Sequence, residues 1–445
     1  MPSTAILKSG ATAVVALAAC TACAGIVDTN VGPVASPPET VGPTPTIKPV
    51  DTHLLPTIQV APAKGWAEGE KPAAAAGVAV NAFARDLDHP RWLLVLPDGD
   101  VLVAETNAPP KPEDATGPKG AVMKAVQGKA GAGTPTGNRI VLLRDADGDG
   151  VAETRTVFLQ GLNSPFGMAL VGNELYVADS DAVLRFPYKP GETSIAAKGE
   201  KLTDLPAGPI NHHWTKNIIA SADGTKLYAT VGSNSNAGEN GLAAEDGRAA
   251  IWEIDRATGR KRLFATGIRN PNGMAWEGGA LWTVANERDE LGDDLVPDYL
   301  TSVKDGAFYG WPFSYYGQHV DDRAKPPNPA LVAKAIAPDY ALGAHVAALG
   351  LVAADKTALP APFAGGVFIG EHGSWNRKPP VGYKVVFVPF AGGKPAGMPV
   401  DVLTGFVDAQ GAAHGRPVGV ALDRQGALLV ADDVGNVVWR ATAAH

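Results

Sequence analysis

The chain has 445 residues, 45% hydrophobic and 19% charged, and a formal net charge of −8 at pH 7. That length allows one large all-β domain or two ordinary ones, and an acidic chain without a long Lys/Arg run excludes a nucleic-acid partner, because phosphates need a basic face. The cysteines are Cys20 and Cys23, so the rest of the chain forms no disulfide or thiolate metal site; Ala24 follows them where a haem attachment needs histidine, and redox chemistry would require another cofactor.

The first element is an address. Lys8 precedes an apolar run over residues 11–19, too short to span a membrane as a mature helix and suited to a signal peptide. It ends in Leu17-Ala18-Ala19-Cys20, which resembles the bacterial lipobox. Residues 1–20 therefore read as a lipoprotein signal peptide. The resemblance implies an exported protein, periplasmic or at the outer surface, anchored through lipidated Cys20 and touching the membrane only there. Residues 21–76 carry repeated prolines and alanines, among them Pro37, Pro38, Pro43 and Pro45. Such a segment buries little apolar surface and predicts an extended tether.

From residue 77 to 445 one phrase recurs: an apolar strand, a turn with Gly or Asn, and a second apolar strand. The copies span residues 90–105, 165–179, 217–232, 271–286, 349–371 and 417–432, the fifth being looser with a longer turn. Each predicts a hairpin. One hairpin cannot bury both faces, so the copies must stack, and six stacked radially predict an all-β, six-bladed β-propeller rather than a sandwich or solenoid. Residues 78–84 are expected to pair with the last strand, 437–441, and close the ring. Glu105, Asp179, Asn286, Glu371 and Asp432 end the second strands, so their positions should converge at one mouth of the channel.

Two stretches carry candidate chemistry. Asp145-Ala146-Asp147-Gly148-Asp149-Gly150 places oxygens at alternate positions like the start of an EF-hand loop, although Thr156 stands where the final bidentate Glu belongs. It reads either as a structural Ca²⁺ loop of Asp145, Asp147 and Asp149 or as a solvated turn between strands 140–144 and 155–159. Asn211-His212-His213-Trp214-Thr215-Lys216-Asn217 leads into the third hairpin. A neutral imidazole there could take a proton from a hydroxyl, or either histidine could be a loop residue bonded to backbone.

The order of motifs carries more. After the histidines come Arg269-Asn270-Pro271, then the acidic loop Arg288-Asp289-Glu290-Leu291-Gly292-Asp293-Asp294, then Tyr309-Gly310-Trp311-Pro312. Over residues 80–440 the chain resembles the PQQ-dependent soluble sugar dehydrogenases (glucose/sorbosone dehydrogenase-like). Gly343-Ala344-His345, Glu371-His372-Gly373-Ser374-Trp375-Asn376-Arg377 and Gly415-Arg416-Pro417 resemble the sorbosone branch.

The resemblance implies oxidation of a sugar or related polyol or aldehyde. His213 would be the base while hydride passes to PQQ, and a separate acceptor, a cytochrome or quinone, would take the electrons. PQQ carries three carboxylates, for which Arg269 and Arg416 supply guanidinium forks. Asn270, Arg288, His345 and His372 complete the implied cofactor-binding set. The family's late lysine has no clear match, with His372, Arg377 and Lys378 in its region, and Arg288 stands where a neutral residue is expected. A catalytic Ca²⁺, acting as Lewis acid, would lie on the acidic loop at Asp289 and Glu290. Specificity would reside in loops 233–239 and 315–325. Two other readings compete. A Ca²⁺-dependent lactonase would gather Glu105, Asp179 and Asn286 on a metal. A non-catalytic sugar-binding or scaffold propeller would leave its arginines in solvent without a pocket.

Overall fold

A computed structural model describes residues 32–52, 57–109, 125 and 128–444. Cys20 and the expected signal peptide lie outside them. No helix among the described residues is long and apolar enough to cross a membrane.

Five four-stranded antiparallel sheets and one six-stranded sheet carry the architecture. The first blade is Pro90–Val95, Val101–Glu105, Arg139–Arg144 and Thr154–Gln160, in that spatial order. Blades two, three and four begin with Met168–Val171, Ile218–Ala220 and Asn270–Glu277; blades five and six begin with Ala348–Ala353 and Pro417–Leu422. These inner strands touch one another in a closed cycle. Each predicted hairpin forms the two innermost strands of one blade, and the expected six-bladed propeller stands.

The ring closes as expected. Val78–Ala84 pairs antiparallel with Val437–Ala443, Val80 facing Ala441. The outermost strand of blade six therefore comes from the start of the domain.

Alternating strand residues bury on both faces of each blade. Among the described residues they form six apolar clusters, each shared by two adjacent blades. Leu93, Val103 and Val141, for example, meet Phe83, Leu429, Ala431 and Val438 across the seam between blades one and six. The Pro-x-Gly element of three hairpins has a packing cause. A side chain at Gly167 would strike the backbone of Asn217 and Ile218 in the next blade; one at Gly273 would strike Leu349 and Leu351, and one at Gly419 would strike Arg91 and Trp92. Only hydrogen lets the inner strands approach this closely.

The residues ending the second strands do sit at one end of the ring, but several are used as braces. Glu105 accepts from the Asp88 N–H at 2.9 Å and pairs with Arg139 and Arg155. Asp179 accepts from the Asn163 N–H at 2.9 Å, and Asp432 accepts from the Arg416 N–H at 2.8 Å. Each carboxylate ties the loop entering a blade to that blade's second strand. Asn286 donates to the Ala348 carbonyl at 2.6 Å and so reaches the next blade. Glu371 is buried with no partner for Oε2, and burial pushes its carboxyl up to about 8. A raised folded-state pKa contributes stability that is present below the unfolded value, near 4.3, and lost as pH rises toward 8. Glu371→Gln should therefore gain thermal stability relative to wild type as pH rises from about 5 to 9, read from unfolding midpoints across that range; a pH-independent difference would count against it.

The described part of the expected tether differs from an extended linker. Val34 N–H bonds the Pro380 carbonyl at 2.8 Å, Gly42 and Ala341 exchange two backbone bonds of 2.9 Å, and Asp51 N–H bonds the Leu291 carbonyl at 2.9 Å. Val41, Val60 and Ala61 are buried in the domain. A few apolar side chains and a row of backbone hydrogen bonds hold the segment to the rim.

Candidate active site at the channel mouth

The loops that enter the inner strands lie at one end of the ring, and the polar residues gather there. Asp433 follows the second strand of blade six and is buried. Its Oδ2 accepts from Arg91 Nη1 at 2.7 Å and lies 2.9 Å from His372 Nε2 and 3.6 Å from His89 Nε2. Burial would raise the Asp433 carboxyl, but His372, His89 and Arg91 hold it well below the carboxylate range. Burial lowers the His372 imidazole to about 4, so it is neutral at pH 7. Arg416 completes the group. Its guanidinium lies 5.0 Å over the Tyr383 ring and makes only long contacts, 3.4 Å to Tyr383 Oη and 3.5 Å to the Ala61 carbonyl. Arg416 adjoins Asp433 through its backbone, its carbonyl accepting from the Asp433 N–H at 3.4 Å. The Nε atoms of both Arg91 and Arg416 are buried without a partner, a costly state that an anionic ligand would relieve.

Trp214 links this cluster to His213. The Arg91 guanidinium lies 5.8 Å over the Trp214 ring and 5.9 Å over Phe166. The His213 carbonyl accepts from Lys216 Nζ at 3.2 Å and Arg248 Nη2 at 3.3 Å, so two buried cations fix the loop. His213 Nδ1 is 2.7 Å from the Ser233 carbonyl oxygen. A carbonyl can only accept, so Nδ1 carries the proton and Nε2 is the basic nitrogen. A side chain at Gly232 would collide with both His213 and Asn270; those two residues converge over it, and Asn270 Oδ1 is buried without a partner. A polar cavity of about 230 Å³ adjoins this loop, lined by Asn163, Ser180, Asp181 and Asn211.

Several predicted cofactor residues have other duties. Arg288 is fully buried, with Glu287 and Asp321 as ion partners at 3.1 and 3.0 Å and the carbonyls of Pro312 and Ser314 at 3.1 and 2.7 Å. It pins the 311–321 loop, and four of its five N–H donors are already bonded within the chain. Arg269 is buried but engaged: Nη1 bonds the Glu287 carbonyl at 2.7 Å, Nη2 bonds Asn236 Oδ1 at 3.1 Å and Asp289 Oδ2 at 3.3 Å, and Nε bonds the Asn236 carbonyl at 3.2 Å. His345 Nε2 lies 3.0 Å from the Gly292 carbonyl, and Nδ1 lies 3.6 Å from Asp289. Burial would lower this imidazole, but Asp289 holds it above its ordinary value. These three residues build the acidic loop rather than the opening beside it. Arg377, too, is drawn into that loop by Asp294 at 2.7 Å.

The Asp289 main-chain oxygen, one of the two expected on a divalent cation, is already engaged. The Asp289 carbonyl already accepts from Arg323 Nη1 at 2.9 Å and Asn236 Nδ2 at 3.1 Å. Burial opposes the Asp289 charge, yet His345, Arg269 and Asn376 hold its carboxyl down at about 2, as a counter-ion for cations of the chain. Glu290 points outward, 60% exposed, with Arg323 at 4.0 Å.

The Asp145 loop does gather carboxylates. Asp145, Asp147, Asp149 and Glu153 bring ligand atoms within 4.8 Å of one another, so Glu153 rather than Thr156 offers the fourth group. The loop joins the outer strands of blade one, at the end of the ring away from His213. A groove of about 670 Å³ at that end has two of its arginines ion-paired, Arg144 with Asp100 and Arg440 with Asp423, and a third, Arg424, bonded to the Asp98 carbonyl.

Arg91, His89 and Asp433 were not among the predicted site residues. A signal existed for Arg91: His89-Pro90-Arg91 opens its hairpin where Arg269-Asn270-Pro271 and Gly415-Arg416-Pro417 open theirs.

A family model described as TrAA12-like matches residues 133–298 and 321–442. The pyranose dehydrogenase PQQ domain of Coprinopsis cinerea, in its holo form, superposes with a TM-score of 0.66 at 21% identity, covering 86% of this chain and 100% of that one. A calcium structure of the Trichoderma reesei carbohydrate-active enzyme family AA12 gives 0.67 at 18% identity, covering 87% and 99%. The PQQ-bound aldose sugar dehydrogenase of Streptomyces coelicolor gives 0.53 at 17%, covering 83% and 100%. An uncharacterized protein of Borreliella burgdorferi is 27% identical over 291 residues, 63% of this chain and 76% of its own length.

Proposed function

Because the chain belongs to the TrAA12-like family, we propose that it is a PQQ-dependent dehydrogenase of a sugar or related polyol or aldehyde, exported and held at the membrane by a lipid on Cys20. The observation that carries this reading is the pair of guanidiniums, Arg91 and Arg416, whose buried Nε atoms lack partners, with Asp433 paired to Arg91 alone of the two. That surplus of positive charge fits a tricarboxylate. Arg91, Arg416, His372 and Asn270 would hold the cofactor, with Trp214 beside it. Bound PQQ supplies a quinone that accepts a hydride equivalent from a C–H bond.

The chain's own residues do the rest. His213 Nε2 takes the hydroxyl proton of the sugar, and Ser233 fixes the imidazole in the tautomer that makes this possible. The polar cavity at Asn163, Ser180 and Asp181 receives the sugar ring. Electrons leave to a separate acceptor, a cytochrome or quinone. The lactonase reading loses support because Glu105 and Asp179 are bonded to backbone N–H groups and arginines. The scaffold reading requires solvent-facing arginines, whereas Arg416 is 4% exposed.

The test is reconstitution. Purified protein is given PQQ with and without Ca²⁺, freed of excess cofactor, and offered a panel of sugars with a redox dye. The expected result is a retained quinone spectrum and dye reduction by at least one sugar. If neither is seen, the proposal fails.

A further inference from the structure

The segment 57–66 crosses the rim where the cationic cluster opens. Gln59 N–H bonds the Trp375 carbonyl at 2.8 Å. The Ala61 carbonyl accepts from Arg416 Nη2 at 3.5 Å. Beyond it, Ala63 N–H bonds the Lys129 carbonyl at 2.9 Å, and Lys64 N–H bonds the Ala413 carbonyl at 2.7 Å. Trp66 then inserts its ring, stacked 5.0 Å from His414, and donates Nε1–H to Asp432 at 2.7 Å. Asp432 also accepts from the Arg416 N–H. The segment thus makes contacts with both ends of Arg416, its guanidinium directly and its backbone through Asp432.

Gln59 is the polar side chain of this stretch that lies deepest. It is 3% exposed, and its Oε1 has no donor. A buried amide oxygen left unsatisfied costs about 1–3 kcal/mol, so its retention in a segment bonded to the rim at several points calls for a cause. An unpartnered acceptor two residues before Ala61, whose carbonyl meets a guanidinium with an unpartnered Nε, describes an incomplete site. The anionic groups of a ligand would satisfy Arg416, and an O–H or N–H of the ligand would satisfy Gln59.

We propose that residues 57–66 form a strap walling one side of the ligand pocket and that Gln59 is a positioning residue accepting a hydrogen bond from a donor group of the bound sugar or of the cofactor. This rests on the reading above. The strap is thereby a part of the active site contributed by chain that precedes the first blade. It also ties the sequence leading from Cys20 to the mouth itself.

Two measurements on the full chain test this. In the first, trypsin cleavage after Lys64, whose side chain is 53% exposed, is followed by mass spectrometry with and without saturating PQQ. Cleavage there requires the strap to lift, so bound PQQ should slow it at least about fivefold by mass action. In the second, Gln59→Leu keeps the bulk and removes the acceptor. A fivefold to tenfold effect, roughly that of one neutral hydrogen bond, should fall on one constant. A rise in sugar KM at unchanged PQQ Kd identifies a sugar hydroxyl as the donor, and a rise in PQQ Kd, read from tryptophan quenching, identifies the cofactor. Gln59→Glu, which keeps an acceptor oxygen, should restore most of a KM effect. If PQQ binds but neither cleavage nor either constant responds, the strap proposal is wrong while the cofactor reading survives. If PQQ does not bind at all, both fall.

Discussion

His213→Ala should lower the kcat of the PQQ-loaded protein by about two to four orders of magnitude, the usual worth of a positioned general base, with PQQ affinity changed by no more than about threefold. The split follows from geometry. His213 is held through its backbone carbonyl by Lys216 and Arg248 and through Nδ1 by Ser233. None of these contacts involves Arg91 or Arg416, so removing the imidazole leaves the cationic cluster intact. Because a proton is transferred, the deficit should shrink at high pH, where hydroxide or buffer base can substitute. Stopped-flow reduction of the bound quinone, compared with equilibrium PQQ binding, separates the two quantities. A variant with wild-type kcat would show that the base lies elsewhere.

The second large effect concerns the guanidiniums. Arg91→Met and Arg416→Met should each weaken PQQ binding about ten- to a hundredfold, since a charged hydrogen bond is worth roughly 1.5–3 kcal/mol. The two losses should not add fully, because the two guanidiniums are close enough to interact and would share one ligand. Arg269→Met is the informative contrast. Its donors are already bonded to Asn236, Glu287 and Asp289, so it should cost stability and loop order more than cofactor affinity. Titration of tryptophan quenching alongside thermal unfolding checks both claims. Equal losses of affinity at Arg269 and Arg91 would mean that the acidic loop rearranges to release Arg269.

The contrast between these arginines shows where sequence reading stops. The blades were legible because their cause is local: hairpin alternation and turn residues. The end of the ring bearing the site was legible too, since every loop that enters an inner strand must lie there. Which arginine keeps a free edge was not. That depends on partners supplied by distant segments, such as Asn236 for Arg269 and Asp433 for Arg91. Asp433 itself follows Asp432 directly, and nothing in their identities distinguishes the brace from the counter-ion. The segment 32–76 was misjudged for a related reason. Its composition indicates little burial in total, but three small slots for Val41, Val60 and Ala61 are enough when the backbone can bond to the rim.

The closing strand has a consequence in time. Arg91 and Asp433 are 342 residues apart in sequence, and Ala61 and Arg416 are 355 apart. The cofactor cluster therefore straddles the seam where the first and last blades meet, and no nascent chain lacking its final strand can possess it. Contacts of such separation form late and slowly. Five blades can stack while the sixth waits for its partner at 78–84. A ligand bridging Arg91 and Arg416 would then act as a clasp on a ring that has just shut, favouring the closed form in proportion to its concentration.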